Sequence, residues 1–170
     1  MSPFVRASLA AVVALSIANV ARADWKSTHW GMSPEELGAD AALNVQFTPE
    51  DAQQEDPVLG KVMATAPYEL PDHPGYEGLV EFIFEDGLLT AVRDTFPDYD
   101  PDKTLKNLAA AYGEPVAALD GVGRRDRCWI DKNNGDNVWY TVFQGPSLAY
   151  ETIFYTSASN PAGCKLPSNN

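Results

Sequence analysis

Carboxylates are the most abundant reactive side chains in this chain, with 24 Asp and Glu against 12 Lys and Arg in 170 residues. Asp98-Tyr99-Asp100-Pro101-Asp102 spaces three of them as D-x-D-x-D. Calcium loops use that spacing because several hard oxygens must converge on one ion. Such a loop also needs Gly at its sixth place and an acid at its twelfth, where this chain has Lys103 and Ala109. These acids are better explained as a helix start, where the dipole favours negative charge. Asp131-Lys132-Asn133-Asn134-Gly135-Asp136 has its Gly one place early for a calcium loop and suits a hairpin turn. His29 and His73 stand far apart, and no H-x-x-x-H or C-x-x-C spacing exists, so neither a metal centre nor a cofactor is expected. There is no G-x-S-x-G and no Cys close to a His. Paired carboxylates could hydrolyse glycosides, but so many acids produce pairs by chance. The reading is a non-catalytic protein; the alternatives are a small hydrolase using carboxylates and a calcium-responsive module.

Arg124-Arg125-Asp126-Arg127 is the one concentration of positive charge and could hold an anionic group, or be a solvated loop among acids. Aromatic residues crowd the end of the chain: Trp139, Tyr140, Phe143, Tyr150, Phe154 and Tyr155. In Asn137–Phe143 the Val138, Tyr140, Val142 set suits a core, which turns Trp139, Thr141 and Phe143 outward. In the next strand Glu151 marks its own alternation set, with Ala149, Ile153 and Tyr155, as the wetter one. Trp139, Tyr155 and Phe143 are therefore the expected binding residues, since aromatics on an open sheet anchor partners.

The elements that carry these residues are marked by caps and turns. Ser33 caps a helix opened by Pro34, Glu36 completes a capping box, and Met32 can staple onto Leu37; the helix is expected to run on to Leu43. Thr48 to Pro57 is polar and acidic and predicts a loop, and Pro71 to Gly75 a turn. Strands are expected at Lys61–Tyr68, from Val80 to Phe84 and from Leu88 to Val92. A three-residue loop over Glu85-Asp86-Gly87 would pair Phe84 with Leu88 and Val80 with Val92, keeping apolar residues together; a two-residue loop would pair Phe84 with Leu89 and Val80 with Arg93. Asp100 and Pro101 open a second helix, its stripe formed by Leu105, Leu108, Ala109 and Tyr112, and Gly113 with Pro115 ends it. Strands at Arg127–Asp131, Asn137–Phe143 and Leu148–Tyr155 complete the chain. The order predicts an α+β fold of two tandem α-β-β-β units, 24–97 and 98–170, sharing one antiparallel sheet with both helices on one face.

The compartment is read from the other end. One charge at Arg6, an apolar run from Ala7 to about Val20, and Ala21-Arg22-Ala23 are the three parts of a signal peptide over residues 1–23, cut before Asp24. The run is short for a membrane span, and no Cys near the cut could take a lipid anchor. The expected product is periplasmic, a single domain over residues 24–170 without a membrane anchor. Losing Arg6 and Arg22 takes its formal charge from −12 to −14. Such a charge repels nucleic acid and anionic membranes. The expected partner is a protein or another envelope macromolecule. In an oxidising compartment the two cysteines predict a Cys128–Cys164 disulfide.

Trp30-Gly31-Met32-Ser33-Pro34-Glu35-Glu36-Leu37 is similar to the aromatic-Gly-x-Ser/Thr-x-x-Glu-hydrophobic opening of small bacterial envelope proteins, among them the BamE-like lipoproteins. Leu108-Ala109-Ala110-Ala111-Tyr112-Gly113-Glu114-Pro115 resembles the L-x-x-x-Y-G-x-P helix ending of the same proteins. The duplicated helix–sheet unit also looks like the β-lactamase-inhibitor-protein architecture, in which two repeats form one curved sheet. These motifs are caps and turns, so the resemblance implies fold and carries no catalytic residue. The missing lipid-anchor Cys is a departure from the BamE-like lipoproteins.

Overall fold

The computed structural model describes residues 25–56, 59–69, 77–97, 100–160 and 163–164. The expected signal peptide and cut site, the turn holding His73, and Asp98 with Tyr99 lie outside the described residues.

Helix α1 (Pro34–Ala39) starts where the capping box requires. The Ser33 hydroxyl accepts from the Glu36 N–H at 3.2 Å, and the Glu36 carboxylate accepts from the Ser33 N–H at 2.8 Å. Leu37 beside it is fully buried. The helix stops six residues on, because Asp40 leaves helical geometry and caps a separate 3-10 turn, Ala41–Leu43. Two short strands, β1 (Gln46–Phe47) and β2 (Gln54–Asp56), then lie along the same edge of β3 (Gly60–Glu69). β4 (Glu77–Glu85) and β5 (Leu88–Pro97) form a hairpin. Helix α2 (Pro101–Tyr112) runs from the Asp100 cap to Gly113 and buries Thr104 and Leu108. β6 (Ala117–Gly121), β7 (Arg124–Ile130), β8 (Asn137–Gln144) and β9 (Ala149–Thr156) follow as an antiparallel meander.

All nine strands form one antiparallel sheet, in the order β1-β3-β4-β5-β9-β8-β7-β6, with β2 also on β3. This overturns the expected α+β fold of two α-β-β-β units. Among the described residues the first helix is only six residues long, and the strands number five before α2 and four after it, so the sheet dominates. The extra strands escaped the sequence reading for a physical reason. β1 and β2 are two and three residues long and polar, and β6 is short and ends in Asp120-Gly121. None has room for the alternation that marks a strand.

The β4–β5 hairpin also corrects the preferred three-residue loop. Asp86 and Gly87 both have positive φ, 51° and 75°, which makes a two-residue turn. It pairs Phe84 with Leu89, then a bulge at Thr90 shifts the register so that Phe82 opposes Val92 and Val80 opposes Asp94. The Thr90 hydroxyl stitches the bulge, reaching the Leu59 carbonyl at 2.9 Å and the Ile83 carbonyl at 3.1 Å.

Two apolar clusters share one face of the sheet. Leu37 and Leu43 pack with Trp25, Met32, Val80, Phe82 and Val92. Leu108 packs with Phe96, Trp129, Val138, Tyr140 and Ile153. Tyr155 touches both. The Cys128–Cys164 disulfide is present, with 5.6 Å between the Cα atoms, and ties Cys164 to β7.

Candidate functional site

Directly opposed residues of an antiparallel pair share a face, so register decides what each face offers. On the helix face one row reads Phe82, Val92, Tyr155, Val138, Trp129 and the next Val80, Asp94, Ile153, Tyr140. On the other face the rows read Glu81, Arg93, Phe154, Trp139, Cys128, then Leu79, Thr95, Thr152, Thr141, Asp126, then Tyr150, Phe143, Arg124.

This places the three expected binding residues differently. Phe143 lies on the open face, about a third exposed, its ring stacked on Tyr150 with centroids 5.7 Å apart. Trp139 lies on the same face but is half-buried. Its indole N–H donates to the Gly163 carbonyl at 2.6 Å, and Cys128, opposite it in register, holds Cys164. Gly163 and Cys164 thus sit against Trp139 and Cys128. Tyr155 is a correction: it opposes Val138 on the helix face, and the residue beside Trp139 is Phe154. The premise failed at Glu151, which is 1% exposed and shares the covered face with Val142 and Phe96.

The open face holds a shallow groove of about 360 Å³. Its floor is the cross-strand row Thr95, Thr152, Thr141. Phe154 stands at one end, and Phe143 with Tyr150 at the other. Arg93 and Arg124 reach in from the sides, each already tied to acids. Arg93 pairs with Glu81 and, at 3.5 Å, with Asp56, and its guanidinium carbon lies 5.5 Å from the Phe154 ring centre. Arg124 grips Asp126 with two bonds, Nε to Oδ2 at 2.7 Å and Nη2 to Oδ1 at 3.1 Å, and Thr141 adds a third bond to Oδ1 at 2.6 Å. Desolvation works against the charge of Arg93, yet its partners Glu81 and Asp56 raise its pKa overall; the bond to Asp126 is the main cause of the rise at Arg124. Among the groove residues, alternation in its strand already turned Thr141 outward, whereas Arg93, Thr95 and Thr152 carry no sequence signal of a site.

A second recess of about 320 Å³ gathers Arg124, Arg125, Arg127, Asp120 and the start of α2. Its arginines are occupied: Arg125 with Asp102 at 3.1 Å, Arg127 with Asp120 at 2.8 Å. The charges that could have held an anion are thus used within the fold: Arg125–Asp102 joins β7 to α2, and Arg127–Asp120 joins β7 to β6. The two calcium-like stretches are also used structurally. Asp100 caps α2 by accepting from the Lys103 N–H, and Asp131 accepts from the Asn133 backbone and side chain within a turn.

The strongly shifted acids lie on the covered face. Burial raises Asp94 to about 7, against the Trp25 indole N–H that bonds it at 3.1 Å. Burial likewise raises Glu151 to about 7, although the Thr104 and Tyr140 hydroxyls approach it and pull the other way. Neither Glu151 oxygen, nor the Tyr140 hydroxyl, completes a well-formed hydrogen bond among the described residues. Burial, then the nearby Glu151 charge, raises the Tyr140 phenol.

Comparison with protein families, curated proteins and solved structures finds no match.

Proposed function

We propose that this is an exported, non-catalytic protein that captures an envelope macromolecule on the open face of its sheet. The observation that carries this reading is the groove itself. It is bordered by Phe143, Tyr150 and Phe154 and floored by threonines, beside a patch of the same face where Phe154 packs on the buried cluster Leu59, Val62, Ile83 and Ala91. Aromatic side chains with a polar handle are the usual anchors of a recognition surface.

The chemistry of the acids separates this reading from a hydrolase. A general acid needs a proton-holding carboxyl within reach of a bound substrate. The carboxyls raised into that range, Asp94 and Glu151, are 4% and 1% exposed on the helix face. The carboxylates beside the groove, Glu81 and Asp126, are each ion-paired to an arginine. Periplasmic export rests on the residues 1–23, and the closed disulfide suits that compartment.

The test is capture from a periplasmic extract on immobilised mature chain, with Phe143→Ala/Tyr150→Ala alongside. Specific material retained by the native face and lost with the double variant supports the reading. Equal retention by both ends it. N-terminal sequencing of exported material should give Asp24; a retained Met1 would refute processing.

A further inference from the structure

The side chains of the groove narrow the kind of partner it accepts, on the footing that the open face is the binding face. Its charges are paired within the fold, with one carboxylate in excess: Arg93 faces Glu81 and Asp56, and Arg124 faces Asp126. The chain as a whole carries −12. An acidic ligand meets repulsion at long range and no unspent guanidinium charge at short range. A cationic ligand finds carboxylates whose best positions are already occupied by arginine. An apolar peptide side chain laid on the floor would cover hydroxyls without satisfying them: Thr95 and Thr152 make no side-chain hydrogen bond among the described residues. Each buried unsatisfied hydroxyl costs about 1–3 kcal/mol.

What remains complementary is a neutral molecule carrying hydroxyls around its rim and C–H groups on its faces. A hydroxyl can both donate and accept, so it can use the second edge of a guanidinium, the remaining lone pair of a paired carboxylate, and a threonine. Aromatic ring faces carry the negative lobe of a quadrupole and attract weakly positive C–H groups. Phe154 and Tyr150 are four residues apart on one face of β9, about 13 Å along the strand, so the two aromatic ends are spaced for a chain longer than a single sugar ring. We propose that the groove binds a short uncharged oligosaccharide. Pyranose rings stack on Phe154 and on the Phe143–Tyr150 pair, and their hydroxyls bond to Thr95, Thr152 and the outer edges of Arg93 and Arg124.

The experiment is titration of the mature, disulfide-bonded chain with chitotriose, cellotriose and maltotriose, and with trigalacturonate as the charged counterpart. Binding is read by calorimetry and by backbone amide shifts. At least one neutral trimer should bind with Kd of about 0.1–1 mM, shifting the amides of Thr95, Thr152 and Tyr150. Tyr150→Ala should weaken it at least about tenfold, and Thr152→Val, which keeps size and shape, at least about threefold. Tighter binding of trigalacturonate, or neutral binding indifferent to both variants, overturns the proposal. If no neutral trimer binds while capture of a protein still depends on Phe143 and Tyr150, the glycan proposal falls and the open-face reading stands. If neither depends on the groove, both fall.

Discussion

The two faces of the sheet bury acids by opposite means. On the open face Asp126 is fully buried, yet it carries a two-pronged arginine and a threonine hydroxyl. On the helix face Asp94 and Glu151 are buried almost as deeply, and burial outweighs the Trp25 indole and the Lys26 charge near Asp94 and the hydroxyls near Glu151, so both carboxyls rise to about 7. A buried carboxylate must be paired or protonated. One face uses a guanidinium; the other uses a proton and becomes sensitive to pH near neutrality. The difference places the pH response of the molecule in its scaffold and leaves the groove to recognise shape and hydroxyl pattern.

The sharpest contrast sets Tyr155 against Tyr150 on the same strand. Tyr155 joins both core clusters, so Tyr155→Ala should cost about 3 kcal/mol in urea unfolding. Tyr150 stacks on the open face, and Tyr150→Ala should cost less than about 1 kcal/mol. Equal losses would erase the distinction between the faces.

The acids predict the next effect. Raised carboxyls bind a proton more tightly in the folded chain than in the unfolded one, whose Asp and Glu titrate near 3.8 and 4.5. Their contribution is fully present below about 4 and is lost as pH rises to about 7. Each of the two carboxyls should therefore take roughly 2–3 kcal/mol from the stability between pH 5 and pH 8. Asp94→Asn/Glu151→Gln should flatten that slope, and denaturant midpoints across the range would show it. A native slope of the opposite sign would refute the assignment.

Arg124→Ala should cost about 2 kcal/mol at pH 8, because it strands Asp126, whereas Glu151→Gln at the same pH should be neutral or stabilising. Thermal unfolding of the two variants side by side decides whether the faces differ as described. A smaller loss than at Tyr155 is expected at Trp139, whose half-buried indole donates to the Gly163 carbonyl. Trp139→Ala should cost about 1–2 kcal/mol. Reducing the disulfide should cost more, about 3–4 kcal/mol for its 36-residue separation, and should also red-shift Trp139 fluorescence as Gly163 leaves. An unchanged spectrum, compared with that of Trp139→Phe, would show that the bridge does not keep Gly163 on the indole.

Local chemistry determined much of this protein from sequence alone. The Ser33–Glu36 capping box, the Asp100–Pro101 start of α2 and the Cys128–Cys164 pairing follow from residue types within a few positions, or from there being two cysteines. Alternation within β8 turned Trp139 and Phe143 outward, because two valines and Tyr140 made one set plainly apolar. Tertiary structure alone decided β9. Its two alternation sets are nearly equal in hydrophobicity, and the only charge, Glu151, pointed to solvent; opposition of Val138 to Tyr155 reversed the choice and drew Glu151 under α2, where protonation makes burial tolerable. It also decided the groove. Thr95, Thr141 and Thr152 are unremarkable in sequence, and they become a floor only when three strands, separated by α2 and two hairpins, are set side by side in one register.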